Sequence, residues 1–88
     1  MWRSKPSNRF IRRYDDLSDE MAKRADEALE IILSHERPER LGIAKHSSRK
    51  GMFAYELGNS CRILYYPKYE SRTVEFFRIC SHGEVYDR

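Results

Sequence analysis

The spacing of apolar residues predicts two consecutive helices in the first half of the chain. Apolar positions 10, 11, 14 and 17 recur at the intervals of one helical face, and Ser7 stands where an N-cap is expected. A second stripe, at positions 21, 25, 28, 29 and 32, follows Ser18 and two acidic residues that suit the positive end of a helix dipole. Pro38 disfavours helical geometry in the residue before it, so we expect this helix to end between residues 34 and 37.

Runs rich in apolar and aromatic residues then predict three strands, at 52–57, 60–67 and 72–81. Gly58-Asn59 and residues 68–71 are short turns, so the three strands form an antiparallel meander. Residues 1–5 are a further short strand candidate. The expected fold is α+β: a short N-terminal strand, and an αα-hairpin packed on one face of an antiparallel three- to four-stranded sheet. At this length we expect residues 1–88 to form a single domain.

Two arginines occupy positions in the predicted strands where apolar residues predominate. Because alternate residues of a strand share a face, Arg62 is expected beside positions 64 and 66, and Arg78 beside positions 76, 80 and 82. The helices can cover only one side of the sheet, so the other side is open to water and can carry charge. Guanidinium groups bind phosphate through paired hydrogen bonds, which predicts an anion-binding surface. A cross-strand ion pair with Glu56 or Glu75 is the alternative explanation of Arg62.

The net charge of +3 is unevenly distributed. Between residues 41 and 55 the chain carries Lys45, His46, Arg49 and Lys50 and no acidic residue at all. A local basic loop in a moderately basic protein is typical of a polyanion partner, and a solvated surface loop is the alternative.

Other features narrow the class of protein further. Cys61 and Cys80 both lie in strand candidates, where buried reduced thiols in a cytoplasmic protein are the default expectation, although a disulfide across a hairpin stays open. No Cys-x-x-Cys or His-x-x-x-His spacing occurs, so no metal site or cofactor is expected. No apolar run is long enough to cross a membrane. We therefore expect a cytoplasmic protein without a membrane partner.

The order of these segments resembles the RelE/ParE toxin superfamily of prokaryotic toxin–antitoxin systems. The resemblance rests on the strand–helix–helix–three-strand order and on two motifs, Gly-Asn-Ser-Cys-Arg-Ile-Leu-Tyr-Tyr at 58–66 and His-Gly-Glu-Val-Tyr at 82–86. It covers nearly the whole chain. Its motifs are short, so their order and spacing give most of the specificity.

The resemblance implies a small, metal-independent endoribonuclease that cuts mRNA on the ribosome and is neutralised by a cognate antitoxin. In such enzymes the RNA 2′-hydroxyl attacks the adjacent phosphate, leaving a 2′,3′-cyclic phosphate and a free 5′-hydroxyl. Carried over by position, Arg62 and Arg78 would stabilise charge on the phosphate, His82 would be a general acid or base, and Tyr86 would stack on a base or transfer a proton. The RNA-binding residues implied in the same way are Lys45, His46, Arg49 and Lys50.

One departure from the family pattern leaves two other functions open. An arginine follows the histidine in the family, whereas this chain has Gly83 and a segment one residue shorter. ParE-type members share the fold, lack the nuclease residues and act on DNA gyrase. A catalytically weak member that mainly binds its antitoxin would also fit, as would a simple RNA-binding domain with salt-sensitive affinity and no turnover.

Overall fold

The structure is a computed structural model, and it describes residues 1–44, 51–58 and 60–80. A strand, two helices and a 3₁₀ turn precede a run of four strands. In chain order the elements are β1 (Arg3–Pro6), α1 (Asn8–Asp15), α2 (Asp19–Ser34), the 3₁₀ turn (Pro38–Leu41), β2 (Ile43–Ala44), β3 (Phe53–Gly58), β4 (Cys61–Lys68) and β5 (Thr73–Ile79).

The strands form one sheet in the order β1-β5-β4-β3-β2. Strands β2 to β5 pair antiparallel, as the predicted meander requires, and the α+β fold with a helix pair against the sheet is confirmed. The sheet itself is mixed, because β1 lies parallel to β5. Antiparallel neighbours can be joined by tight turns, whereas β1 is connected to its parallel neighbour β5 through the helix pair and the three other strands. The two-residue β2 falls in a segment that was expected to be a loop.

Both helices begin where the sequence predicts. The Ser7 hydroxyl accepts a hydrogen bond from the amide of Phe10 at 3.0 Å, and the Ser18 hydroxyl accepts one from Met21 at 3.2 Å. Each serine satisfies an amide that the first helical turn leaves without a partner. The second helix ends at Ser34, within the predicted range, and extended backbone leads from there into Pro38.

The core lies between the helix pair and one face of the sheet. Strand β4 alternates strictly between buried and half-buried residues, with Ile63 and Tyr65 fully buried and Arg62 and Leu64 partly exposed. The buried residues that the helices and strands contribute to the core include Phe10, Ala25, Ala28, Ile32, Ile63, Tyr65, Val74, Phe76 and Ile79. In the described part of the chain no helix covers the opposite face of the sheet, which we call the open face.

Tyr65 and Trp2 connect the sheet to the segments that flank it. The Tyr65 hydroxyl donates a 2.7 Å hydrogen bond to the carbonyl of Pro38, which joins β4 to the 3₁₀ turn. Gly42 follows that turn, and a Cβ there would lie 2.6 Å from the Tyr65 hydroxyl, so a side chain is sterically excluded.

Trp2 is buried, packs edge-on against Tyr69 and lies beneath the guanidinium of Arg72 at 4.7 Å. The contacts of Trp2 hold the start of the chain against the turn between β4 and β5.

Candidate phosphate-binding face

The strand register identifies which side chains share the open face. Directly opposed residues of neighbouring strands lie on the same face, and Glu56 opposes Arg62 across β3 and β4. Leu64 of β4 opposes Arg78 of β5, and Tyr66 opposes Glu75. Arg62 therefore shares its face with Leu64 and Tyr66, as the alternation in β4 predicts.

Arg78 lies on the side of the sheet open to water, as expected for a charged residue, but it does not share that face with Phe76. The pairing steps from Leu64–Arg78 to Tyr65–Phe76, so Phe77 is an extra residue that β4 does not match. Such a β-bulge interrupts the alternation of side chains by one position. Arg78 consequently leaves the face of the buried Phe76 and joins Arg62 on the open face. The prediction that Arg78 shares a face with Phe76 is wrong for this reason.

The bulge is held by the residue that caps the first helix. The Ser7 hydroxyl donates a 2.9 Å hydrogen bond to the carbonyl of Phe77, and the Ser7 amide donates one to the carbonyl of Phe76. These bonds satisfy backbone groups that an irregular strand would otherwise leave unpaired. The junction between β1 and α1 therefore supports the bulge that turns Arg78 outward.

The bulge brings two guanidinium groups within reach of one phosphate. Arg62 and Arg78 occupy diagonal positions around Leu64, and residues related in this way have Cα atoms about 7–8 Å apart. Both side chains are partly exposed. Arginine side chains are long enough to converge from this spacing on a single tetrahedral anion. The open face therefore carries both arginines, on neighbouring strands.

Arg62 forms an ion pair with Glu56, which was the alternative explanation for an arginine at this strand position. Its Nε lies 2.6 Å from Glu56 Oε2, and the two side chains are 42% and 51% exposed. A pair this exposed has little net energy, about 0–1 kcal/mol, because water competes with both groups. The carboxylate holds the Nε edge of the guanidinium and fixes its orientation. It also offsets part of the positive charge that a phosphate would meet.

A second charged group lies further along the same face. The carboxylate of Glu75 is 4.0 Å from the ammonium of Lys5 and 3.7 Å from that of Lys68. Two lysines share one carboxylate, so this group has an excess of one positive charge. The described part of the open face thus has more cationic than anionic side chains.

The remaining residues predicted for the site lie outside the described residues. These are Lys45, His46, Arg49, Lys50, His82 and Tyr86. In the sequence, the first four lie between β2 and β3, and the other two follow β5.

The two cysteines form a disulfide, contrary to the default expectation of reduced thiols. Cys61 is the first residue of β4, Cys80 follows the last residue of β5, and their Cα atoms are 4.2 Å apart. The sequence contained a signal for this pairing. In an antiparallel hairpin the start of one strand lies beside the end of the next, which brings Cys61 and Cys80 together.

The disulfide borders a cavity of about 370 Å³ at the end of the sheet. Arg13 of α1 also lines this cavity, and its Nε and Nη2 both donate hydrogen bonds to the carbonyl of Cys80, at 3.3 and 3.0 Å. Arg13 is not among the residues predicted for the site from the sequence. Its contact joins positions 67 residues apart, which no local pattern in the sequence indicates.

The described residues contain neither a cluster of metal ligands nor a membrane-spanning helix. Within residues 1–44, 51–58 and 60–80, no three His, Cys, Asp or Glu side chains are grouped so that they could hold a metal ion. In the same ranges, no helix is both long and apolar enough to cross a membrane.

This chain, with its mixed sheet and a helix pair packed on one face, has a RelE-like fold. It is similar to the isolated E. coli RelE toxin, with a TM-score of 0.75 and 17% identity over 99% of this chain and 93% of that one. In the RelBE2 toxin–antitoxin complex of Mycobacterium tuberculosis, the matching chain has a TM-score of 0.76 and 23% identity, over 90% of this chain and 95% of that one.

A third similar structure is the YoeB–YefM complex from Staphylococcus aureus, with a TM-score of 0.75, 16% identity, and coverage of 93% of this chain and 98% of the other. No protein-family model and no curated protein sequence matches the chain. Similarity at this level of identity shows the fold.

Proposed function

We propose that this protein is the toxin of a toxin–antitoxin system, acting as a metal-independent endoribonuclease on mRNA at the ribosome. The observation that carries the proposal is the pair of arginines on the open face of a RelE-like sheet. Arg78 reaches that face only because of a bulge, and the bulge is stabilised by Ser7. A sheet whose irregularity presents a second guanidinium beside Arg62 is well suited to bind a phosphate.

The proposed reaction is cleavage by the substrate's own 2′-hydroxyl. The 2′-oxygen attacks the adjacent phosphorus, the bond to the 5′-oxygen breaks, and the products carry a 2′,3′-cyclic phosphate and a 5′-hydroxyl. Arg62 and Arg78 stabilise the charge that develops on the phosphate oxygens, because their positive charges are already in place when the reaction occurs. This step needs no metal ion to supply charge.

Proton transfer and RNA positioning are assigned to residues from the sequence. His82 accepts the proton of the attacking hydroxyl or delivers one to the leaving oxygen, roles that imidazole serves near neutral pH. Tyr86 stacks on a base or participates in proton transfer. Lys45, His46, Arg49 and Lys50 bind the RNA backbone, where basic side chains set the position of the substrate.

A cognate antitoxin is the proposed protein partner. The similar structures include toxin–antitoxin complexes from E. coli and Mycobacterium tuberculosis. The described sheet ends in two short edge strands, β1 and the two-residue β2, whose backbones can pair with an added strand. An acidic, helix-rich protein encoded beside this one would support the assignment.

The test compares two arginines with equally exposed side chains. Arg62 and Arg24 are each 42% exposed and each pair with a glutamate, but Arg24 belongs to α2 on the covered side of the sheet. We expect Arg62→Ala to lower RNA cleavage at least a hundredfold and to relieve growth arrest on expression, while Arg24→Ala leaves both nearly unchanged. Circular dichroism would verify that both variants fold. Full activity in Arg62→Ala would refute the assignment of Arg62.

The ion pair between Arg62 and Glu56 favours a second candidate. A carboxylate beside the arginine weakens its attraction for phosphate, and Gly83 replaces the family's second arginine in this region. Both features suit a ParE-like toxin that binds a protein such as DNA gyrase. Primer extension on cellular mRNA after induction separates the two. Discrete cleavage sites support the nuclease, and intact message with DNA damage supports the gyrase-directed toxin.

A further inference from the structure

The disulfide joins the two strand ends nearest to Arg62. Cys61 is the residue immediately before Arg62 in β4, and the amide of Cys80 donates a 2.9 Å hydrogen bond to the carbonyl of Arg62. Any movement of Cys80 is therefore transmitted directly to the backbone that carries the arginine. Residues 81–88, which include His82 and Tyr86, are attached to the sheet through this same position.

The backbone of Cys80 needs to be held in place. Its φ angle is +54°, in the left-handed region that residues with a Cβ rarely adopt. The disulfide holds it there, together with the hydrogen bond from its amide to the Arg62 carbonyl and two hydrogen bonds from Arg13 to the Cys80 carbonyl. Of these contacts, the disulfide is the one that a thiol can open.

The disulfide is open to attack from one side. Both cysteines line the cavity of about 370 Å³, and Cys80 is partly exposed whereas Cys61 is only 4% exposed. Cys80 is the more exposed of the two cysteines, so it is the residue that an entering thiol would attack. The guanidinium of Arg13 and the carboxylate of Asp16 border the same cavity. The cation at Arg13 would favour the approach of a thiolate, and Asp16 would oppose it.

We infer that the Cys61–Cys80 disulfide is a redox latch, which holds the end of β5 beside Arg62 when oxidised and releases it when reduced. This inference rests on the proposed function for its effect on RNA cleavage. A dithiol is the reductant. Its thiolate attacks the sulfur of Cys80, the sulfur of Cys61 leaves as a thiolate, and the second thiol of the reductant then displaces Cys80. Two electrons pass to the protein, and the reductant becomes a cyclic disulfide.

Reduction has a definite structural consequence. Without the covalent link, the described contacts that still hold Cys80 at its unfavourable φ are hydrogen bonds, and those from Arg13 are exposed to water. The backbone at residue 80 relaxes, its hydrogen bond to Arg62 breaks more often, and the arrangement of Arg62 and Arg78 loses its definition. Oxidised protein is then the active form, and reduced protein is folded but slow.

The experiment measures amide hydrogen exchange and RNA cleavage in oxidised protein and in protein reduced with dithiothreitol, after thiol titration has established the redox state of each. We expect no titratable thiols in the unfolded oxidised protein and two after reduction. Reduction should accelerate hydrogen exchange of the Cys80 amide at least tenfold and lower RNA cleavage at least tenfold. Reduced protein that keeps both its cleavage rate and its amide protection would overturn the latch, and so would two free thiols in protein purified without reductant.

Two substitutions at position 80 separate the covalent link from the backbone strain. Cys80→Ser removes the disulfide and retains a Cβ at positive φ, whereas Cys80→Gly removes the disulfide and tolerates the same φ. We expect Cys80→Ser to behave like the reduced protein and Cys80→Gly to recover part of the amide protection, both without response to dithiothreitol. Cys80→Gly also serves if Cys80→Ser does not fold. A response to dithiothreitol in either variant contradicts the latch.

Amide exchange also distinguishes failure of the latch from failure of the proposed function. If oxidised protein does not cleave RNA but reduction still accelerates exchange at residue 80, the latch is supported and the nuclease assignment is wrong. If oxidised protein cleaves RNA and reduction changes neither quantity, the nuclease assignment is supported and the latch is wrong.

Discussion

At the scale of single residues, the candidate site depends on how Glu56 affects Arg62. The carboxylate contacts the Nε edge of the guanidinium, and the 2.6 Å distance is that of a charge-assisted hydrogen bond. Two effects on RNA binding then oppose each other. The pair fixes the orientation of the guanidinium, and the negative charge of Glu56 repels the phosphate.

Glu56→Gln separates the orienting effect from the repulsion, because the glutamine oxygen still accepts the hydrogen bond from Arg62. We expect RNA affinity to rise several-fold at low salt, since a negative charge beside the binding arginine is removed. The gain should shrink as salt increases, because exposed charges are screened. Fluorescence anisotropy with a labelled RNA at two salt concentrations measures it.

A matched comparison for Glu56→Gln is Glu20→Gln, which removes the corresponding carboxylate from the Arg24 pair on α2. This change should leave RNA affinity nearly unchanged. Equal gains for the two variants would show that net charge matters rather than the position of Glu56.

At the scale of elements, Ser7 has two roles that link the first helix to the sheet. It caps α1 through the amide of Phe10, and its hydroxyl donates to the carbonyl of Phe77 at the bulge. Ser18 caps α2 through Met21, an exposed contact. The two serines therefore differ in the bulge contact and allow its contribution to be measured.

We expect Ser18→Ala to reduce the free energy of unfolding by about 1 kcal/mol, the usual effect of losing an N-cap. Ser7→Ala should cost about 2–3 kcal/mol, because it also leaves a bulge carbonyl without its donor. Urea unfolding followed by circular dichroism gives both values. Equal losses in the two variants would mean that the bulge does not depend on Ser7.

Local patterns were sufficient to predict the helices but insufficient for the sheet irregularities. Ser7 and Ser18 were identified as caps because capping depends on residues only three positions away. The prediction that Arg78 shares a face with Phe76 was wrong because strict alternation cannot anticipate an extra residue such as Phe77. The parallel pairing of β1 with β5 joins residues about 70 positions apart, and no short-range periodicity encodes it.

At the scale of the whole molecule, Tyr65 connects the sheet to the segment that follows the helix pair. Burial raises the pKa of Tyr65 above its ordinary value, and the nearby Glu39 raises it further. The folded state therefore favours the neutral phenol, which bonds to the Pro38 carbonyl. The contribution of this protonation is complete below pH 10, the ordinary value in the unfolded chain, and decreases as the pH rises above it.

Comparison of the wild type with Tyr65→Phe tests this linkage. The substitution should cost about 1–3 kcal/mol at neutral pH, because the Pro38 carbonyl loses its donor. Between pH 9 and pH 11 the wild type should lose about 1 kcal/mol more stability than Tyr65→Phe. In the wild type the unfolded chain loses the Tyr65 proton in this range while the folded protein keeps it, and the variant has no phenol at this position. Urea unfolding at several pH values measures the difference. A constant gap between the two proteins would contradict the linkage.

The whole-molecule fold was the part most accessible to prediction from sequence. The order of segments and the arginine-bearing strand were enough to predict a RelE-like architecture, which the similarity to solved toxins supports. The site was only partly predictable. Arg62 was placed on the correct face, but the contacts of Arg13 depend on how distant segments meet. The pairing of Cys61 with Cys80 was left open, although the predicted hairpin brings the two positions together.

The buried Trp2 is an intrinsic fluorescence probe. It is the one tryptophan in the 88 residues, and it is enclosed between the Tyr69 ring and the Arg72 guanidinium. Its fluorescence should therefore shift to longer wavelength when the N-terminal strand detaches and water reaches the indole. Detachment of that strand can thus be followed in the unlabelled chain, including while an antitoxin or RNA is bound elsewhere.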